Sequence, residues 1–365
     1  MKKNIPWAKP VFYGKEKEYL VNALESTWIS DGYYVERFEK EFAEYHKVPF
    51  GITVSNGTAA LQLAVLGLGL SGKDEVIVPG FSFFAAANMV LSAGAVPVFA
   101  DIDPDTWCLD ISCVERAITE KTRAVIAVHN YGNVCDMAAL IELAGRHDLC
   151  IIEDCAEAVF SKYMNKLAGT FGDAGCFSFQ ATKTITTGEG GIVVLSEEDI
   201  NNRMRLLRNH GMSPQKHYWP EMHGYNFRMT NLQAAVGCAQ FECLDKIIKD
   251  KQRIYSRYLE QLGNEAGVTM QMFRKEVDPV VWTVALRIDK KRFVYDRDGT
   301  IASLLDSGIE TRPGFYPYSI MPIYKSNALP NAEAVSAGVI CLPSFCTISD
   351  KEIEYICDKI KKLKK

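Results

Sequence analysis

Val76 to Ala100 runs for 25 residues without a charged side chain. As one helix it would be long enough to cross a bilayer about 30 Å thick. Its punctuation excludes a single helix. Pro79-Gly80 breaks the run near its start, Gly94 and Pro97 break it near its end, and Asn88 and Ser92 lie between them. The run therefore divides into a strand, a helix and a strand: VIVP, AAANMVLSAG and VPVFADID. Both strands are continuous apolar stretches, the pattern of parallel strands covered on both faces.

The same alternation continues along the chain. GITVS leads into NGTAALQLAVLGL, AVIAVHNYG into MAALIELAGRHD, and LCIIED follows. Next come DAGCFSFQ and GGIVVLS, separated by a loop, with helical sequence from about Glu197. Repeated βα units predict an α/β fold with a mainly parallel, mixed sheet and helices on both faces. From Met229 the pattern turns long and helical, through NLQAAVGCAQFECLDKIIKDKQRIYSRYLEQL. A second unit follows, with a strand VVWTVALRID, a helix near Asp298 to Ser307, the loop RPGFYPYSIMPIY and a final helix from Ser349. We expect a large unit over 1–240 and a smaller C-terminal α/β unit over 241–365.

The charge sum of −4 leaves no global basic excess to attract nucleic acid or anionic lipid. Neither nucleic acid nor membrane is an expected partner. Eleven cysteines in 365 residues lack the density of a secreted disulfide scaffold. Four pairs recur five residues apart (Cys108/Cys113, Cys150/Cys155, Cys238/Cys243 and Cys341/Cys346), whereas zinc ribbons and redox motifs want C-x-x-C; no metal is expected. They read as small buried hydrophobes. The opening MKKNIPWAKP has no apolar run after its lysines, so a secretory leader is not expected and a cytoplasmic location is.

Three polar features follow strand ends, where open α/β sheets bind ligands. Ser55-Asn56-Gly57-Thr58 opens a helix after GITV. Ser or Asn caps it, Gly57 permits close backbone approach, and free amides favour an anion such as phosphate; any βα turn wants similar caps. Asp154 ends CIIED, with Glu153 before it and Glu157 three residues on. A carboxylate there serves either to hold a ring nitrogen protonated or to cap AEAV. Lys183 lies among the threonines and glycines of SFQATKTITTGEGG, a shaped loop in which an amine can form a Schiff base with a carbonyl cofactor. Phosphate cup, acid and lysine are together the parts that pyridoxal 5′-phosphate (PLP) needs.

With these motifs the chain resembles sugar aminotransferases of the DegT/DnrJ/EryC1/StrS family, fold type I of the PLP enzymes, nearly end to end. TVSNGTAALQLAV, EVIVPGFSF, IEDCAEA, GTFGDAGCFSF, KTITTGEGG, GYNFRMTNLQAA and ETRPGFYP carry the likeness. The resemblance implies Lys183 as the lysine that holds PLP and shuttles protons, and Asp154 as the partner of its ring nitrogen. It implies Phe83 stacked on the ring, Glu157 near the 3-oxygen where many relatives have Gln, and Asn56, Gly57, Thr58 and Ser178 around the phosphate. Asn226 would reach that phosphate from the second subunit of a homodimer. The substrate it implies is a nucleotide-linked 4-keto-6-deoxy sugar, first GDP-4-keto-6-deoxymannose, with a UDP- or dTDP-linked keto sugar as the alternative; a PLP-dependent keto-sugar dehydratase or a non-catalytic sensor is a remoter one, disfavoured because Lys183 and Asp154 are both kept. L-glutamate is the implied amino donor, and O-antigen and lipopolysaccharide assembly the implied use. Arg312 and Tyr316, with Arg208, His210 and Lys216, are the groups expected to meet sugar and diphosphate.

Overall fold

The protein is described from a computed structural model covering residues 4–365. Its first half alternates helix and strand: α1 (Glu16–Glu25), α2 (Tyr33–His46), β1 (Phe50–Val54), α3 (Gly57–Gly67), β2 (Glu75–Pro79), α4 (Ala85–Ser92), β3 (Val96–Ala100), α5 (Ile111–Ala117), β4 (Thr122–Val128), α6 (Met137–His147) and β5 (Cys150–Asp154). Two short strands, β6 (Lys162–Tyr163) and β7 (Lys166–Leu167), precede β8 (Ala174–Ser178), β9 (Gly191–Leu195) and α7 (Glu198–Arg208). The remainder holds α8 (Asn231–Glu242), α9 (Leu244–Leu262), β10 (Val268–Met270), β11 (Val277–Asp278), β12 (Ala285–Ile288), α10 (Arg297–Asp306), β13 (Arg312–Pro313), α11 (Pro330–Ser336), β14 (Val339–Cys341) and α12 (Asp350–Lys361).

Seven strands form the main sheet in the order β1-β9-β8-β5-β4-β2-β3. β9 alone runs against its neighbours, and the other pairings are parallel. Alternate residues feed two cores. Val76, Val78, Ile126 and Ile152 face one layer of helices, and Ile77, Val125, Ala127 and Ile151 face the other. A four-stranded sheet β10-β12-β14-β13 packs on α9, α10 and α12, and Ile5 joins that core through a bridge to Ile309. In α9, Leu244, Ile247, Lys251, Ile254, Tyr258 and Leu262 form the buried stripe, at three- and four-residue spacing.

Three expectations need correction. β3 is apolar but not covered on both faces: it is the edge strand, and Val96 is 45% exposed. The long helical stretch from Met229 is two helices that meet at Cys243. VVWTVALRID is a strand only over its last part, Ala285–Ile288. Upstream, side chains replace a neighbouring strand as hydrogen-bond partners: Ser161 Oγ accepts the Val280 amide, Lys251 Nζ donates to the Trp282 carbonyl, and Ser344 Oγ accepts the Val284 amide. All eleven cysteines are free, eight of them buried. No helix among the described residues is long and apolar enough to cross a membrane.

Candidate active site

β1 carries Ser55 and Asn56 to the sheet end where α3 begins. Asn56 caps that helix, its Oδ1 accepting the Ala59 amide at 2.8 Å. The Gly57 and Thr58 amides of the first turn have no acceptor among the described residues. Unpaired amides with the helix dipole behind them suit a phosphate. Position 57 must be glycine because a Cβ there would stand 2.6 Å from Ser178 Cβ. The missing side chain lets the helix start press against Ser178 at the end of β8.

Glu153 and Asp154 are adjacent on β5 and so point to opposite faces. Glu153 turns inward, away from the site: its carboxylate accepts the Gly169, Phe171 and Gly172 amides and meets His129 Nε2 at 3.1 Å. The Cys135 amide donates to His129 Nδ1 at 3.2 Å, which leaves Nε2 to donate to Glu153. Cys155 completes a group of potential metal ligands, but these bonds already occupy His129 and Glu153. Asp154 is buried and carries one side-chain hydrogen bond, from the Ala156 amide at 3.1 Å. Burial pushes its carboxyl above the ordinary range, against the pull of the Ala156 amide, Lys183 and His129. A cation placed beside it would reverse that direction.

Lys183 occupies the loop between β8 and β9, which threonine hydroxyls tie in place. Thr182 Oγ1 donates to Gln180 Oε1, Thr186 Oγ1 to the Phe179 carbonyl and Thr187 Oγ1 to the Glu189 carbonyl. The Lys183 amine lies 3.6 Å from Glu157 Oε1 and 3.9 Å from the ring centre of Trp282. Glu157 Oε2 accepts the Tyr131 amide at 3.0 Å, and burial pushes its carboxyl up to about 7 despite Lys183 nearby.

Phe83 lies in the loop after β2 and is 46% exposed, so one ring face is free for stacking. Its carbonyl accepts the Tyr318 hydroxyl at 3.2 Å. Asn226 is exposed and its side chain makes no hydrogen bond among the described residues, while the next residue's carbonyl accepts the Ser55 amide at 2.7 Å. Tyr316 is exposed, its hydroxyl accepting Arg297 Nη2 at 3.2 Å. Arg312 lies over Trp7 and pairs with Glu310, two residues away on the same unit. Arg208 does not stand free for a diphosphate: its guanidinium is bonded to Glu39 at 2.6 Å and to the Thr53 carbonyl.

Comparison with known proteins matches residues 12–361 to the DegT/DnrJ/EryC1/StrS aminotransferase family. The chain belongs to that family. It is similar to the GDP-perosamine synthases of Escherichia coli O157:H7 (44% identity) and Vibrio cholerae (42%), in each case over 98% of both chains. Among solved structures it resembles the aminotransferase TlmJ from Streptoalloteichus hindustanus, with a TM-score of 0.93 and 28% identity over 98% of each chain. It also resembles the Streptococcus pneumoniae protein Spr1654, described as a sugar aminotransferase and solved in a PLP form. That match has a TM-score of 0.93 and 27% identity, and covers 99% of this chain and 98% of the other. Family membership makes this chain a PLP-dependent sugar aminotransferase of fold type I.

The residues present fit that cofactor: a side-chain-free cradle at Gly57, a buried carboxylate with a single neutral partner at Asp154, and an amine at Lys183. Trp282 and Tyr131 were not singled out from sequence, although both border Lys183 or its neighbours. Trp282 lay inside an apparent strand, and only its position just before β12 sets it apart. Tyr131 has φ of +59°, a backbone state that only the structure reveals.

Proposed function

We propose that this enzyme moves the amino group of L-glutamate onto C4 of GDP-4-keto-6-deoxymannose, yielding GDP-perosamine and 2-oxoglutarate. The observation that carries the reading is the 44% identity to a GDP-perosamine synthase over 98% of both chains. Bound PLP supplies an electrophilic carbon for amines and an electron-withdrawing ring. In this reading the Gly57 and Thr58 amides, with Asn56 and Ser178, hold its phosphate. Asp154 keeps a proton on the ring nitrogen, Phe83 covers one ring face, and Glu157 stands by the 3-oxygen. Lys183 anchors the cofactor and, when free, carries a proton to and from the reacting carbon.

Tyr316 and Arg312 would meet the sugar and diphosphate, Arg312 by exchanging Glu310 for the anion. The unit over 1–240 would hold the cofactor and that over 241–365 would close on the substrate. Two exposed apolar clusters, Trp28, Ile29 and Tyr33 in one and Tyr218 and Trp219 in the other, support a homodimer. Asn226 of the partner subunit would then complete the phosphate site. The product would feed O-antigen and lipopolysaccharide assembly from the cytoplasm.

The test is a panel of nucleotide keto sugars incubated with enzyme, PLP and glutamate, read by mass spectrometry for conversion of ketone to amine. Efficient use of a UDP- or dTDP-linked keto sugar with rejection of the GDP sugar would refute the substrate and leave the aminotransferase intact. Borohydride reduction should fix PLP on the Lys183 peptide, and an adduct on another lysine would overturn that residue's role.

A further inference from the structure

Lys183 is held from two sides. On one side is the Glu157 carboxylate at 3.6 Å, fixed in turn by the Tyr131 amide. On the other is the face of Trp282, 3.9 Å from the amine to the ring centre. An ammonium so placed gains from the ring's negative face as well as from the carboxylate.

Trp282 is held unusually firmly for a residue outside regular structure. Its indole N–H donates to the carbonyl of Thr182, the residue before Lys183, at 2.7 Å. Its own carbonyl accepts Lys251 Nζ at 2.7 Å, and the same amine reaches the Ser344 carbonyl at 2.8 Å. Trp7 packs edge-on against the ring at 5.7 Å, and Tyr131 lies parallel to it at 6.4 Å. One chain of contacts thus runs from α9 through Lys251 and Trp282 to the backbone beside Lys183. Lys251 is buried and its partners among the described residues are those two carbonyls, with no carboxylate, so burial lowers its affinity for a proton. Holding the Trp282 carbonyl gives that buried amine a specific use.

We propose that Glu157 and Trp282 form a seat for the Lys183 ammonium during the part of the cycle in which the lysine is not joined to the cofactor. Both are positioning residues, and the inference rests on the reading of Lys183 as the cofactor-bearing lysine. Seated there, the released amine stays beside the reacting carbon instead of swinging into solvent. The other ionisable groups around the seat include Asp154 at the end of β5, His129 at the end of β4, the Tyr131 hydroxyl, the Cys341 thiol of β14, pushed up by burial and by Glu157, and Lys251 behind Trp282. His129 is spent on Glu153, the Tyr131 hydroxyl accepts the Phe315 amide, and Asp154 is assigned to the ring nitrogen. Glu157 is the carboxylate that the free amine meets at ion-pair distance, and it is charged only above the pH at which it titrates, about 7.

The experiment loads the enzyme with pyridoxamine phosphate, so that Lys183 is free, and labels it with trace acetic anhydride. Acylation of Lys183 is then measured by mass spectrometry against exposed Lys275. An amine that keeps its proton does not attack the reagent. Glu157→Gln preserves shape and removes charge. It should raise Lys183 acylation about tenfold one unit above the Glu157 titration, and leave it unchanged one unit below, where Glu157 is already neutral. Trp282→Leu should raise acylation roughly threefold at both pH values, and Trp282→Phe, which keeps a ring face, should recover part of the difference. A parallel borohydride reduction of the PLP form locates the cofactor lysine. An adduct on Lys183 combined with no pH-dependent gap between parent and Glu157→Gln overturns the seat alone. An adduct on another lysine overturns both the seat and the assignment beneath it.

Discussion

At the scale of single residues, the site depends on absent atoms as much as on present ones. Gly57 is needed because a Cβ would overlap Ser178 at 2.6 Å. Gly57→Ala should lower both the melting temperature and the affinity for PLP, and Ser178→Gly in the same chain should restore part of the melting temperature. Normal cofactor retention in the single variant would contradict this account. Glu157 supplies a second expectation. Its carboxyl titrates near 7 in the folded chain, against an ordinary 4.5. Between those values the folded chain holds a proton that the unfolded chain lacks, so this group's contribution to stability falls as pH rises through the window. The full difference is of order 3 kcal/mol. Cofactor-free Glu157→Gln should therefore lose less stability than the parent between about pH 5 and pH 8, as read by thermal melts across pH. A parallel decline in both proteins would show that Glu157 does not titrate there.

At the scale of elements, helix ends do separable work. α12 begins with a capping box in which Ser349 and Glu352 satisfy each other's amides, and α8 begins with the equivalent pair Thr230 and Gln233. The second box also touches the site, because Gln233 Nε2 donates to the Glu189 carbonyl in the Lys183 loop. Ser349→Ala should cost about 1 kcal/mol in urea denaturation and leave PLP affinity unchanged. Gln233→Ala should lower PLP affinity as well as stability. Equal PLP affinities in the two variants would mean that the Lys183 loop does not depend on α8. Both helix starts carry a Ser or Thr followed three residues later by Glu or Gln, a local signature visible in the sequence. The break at Cys243 has no such marker, and the two helices it separates read as one amphipathic run.

At the scale of the whole molecule, the segment after β13 clasps the loop that bears Phe83. Phe81 bridges to Pro317, the Tyr318 hydroxyl donates to the Phe83 carbonyl, and the Tyr324 hydroxyl donates to Asn88. Asp101, just past β3, accepts the Asn331 and Ala332 amides at the start of α11. Tyr318→Phe deletes one buried hydroxyl and leaves the Phe83 carbonyl with only the Ser82 hydroxyl, at 3.3 Å, as donor, costing about 1 kcal/mol. With Phe83 less well held, KM for the sugar should rise more than kcat falls. A variant with lower stability and unchanged KM would confine the clasp to a structural role.

The sequence by itself determined the βα rhythm, the helix caps and the placing of Asn56, Asp154 and Lys183 at or after strand ends. Each follows from preferences acting over a few residues: apolar runs that bury as strands, Pro and Gly that interrupt them, and polar caps that satisfy free amides. Tertiary structure alone decided strand order, and with it the exposure of β3 at the sheet edge, because an apolar pentapeptide does not encode how many neighbours it will have. Period-two alternation separates Glu153 from Asp154, but only the packed sheet shows which of them faces His129 and which the site. Trp282 joined Lys183, and Arg208 was drawn to Glu39, through contacts between residues about a hundred or more positions apart. Such pairings are fixed when buried charges and carbonyls must find partners in the assembled core, a requirement that no local window of sequence expresses.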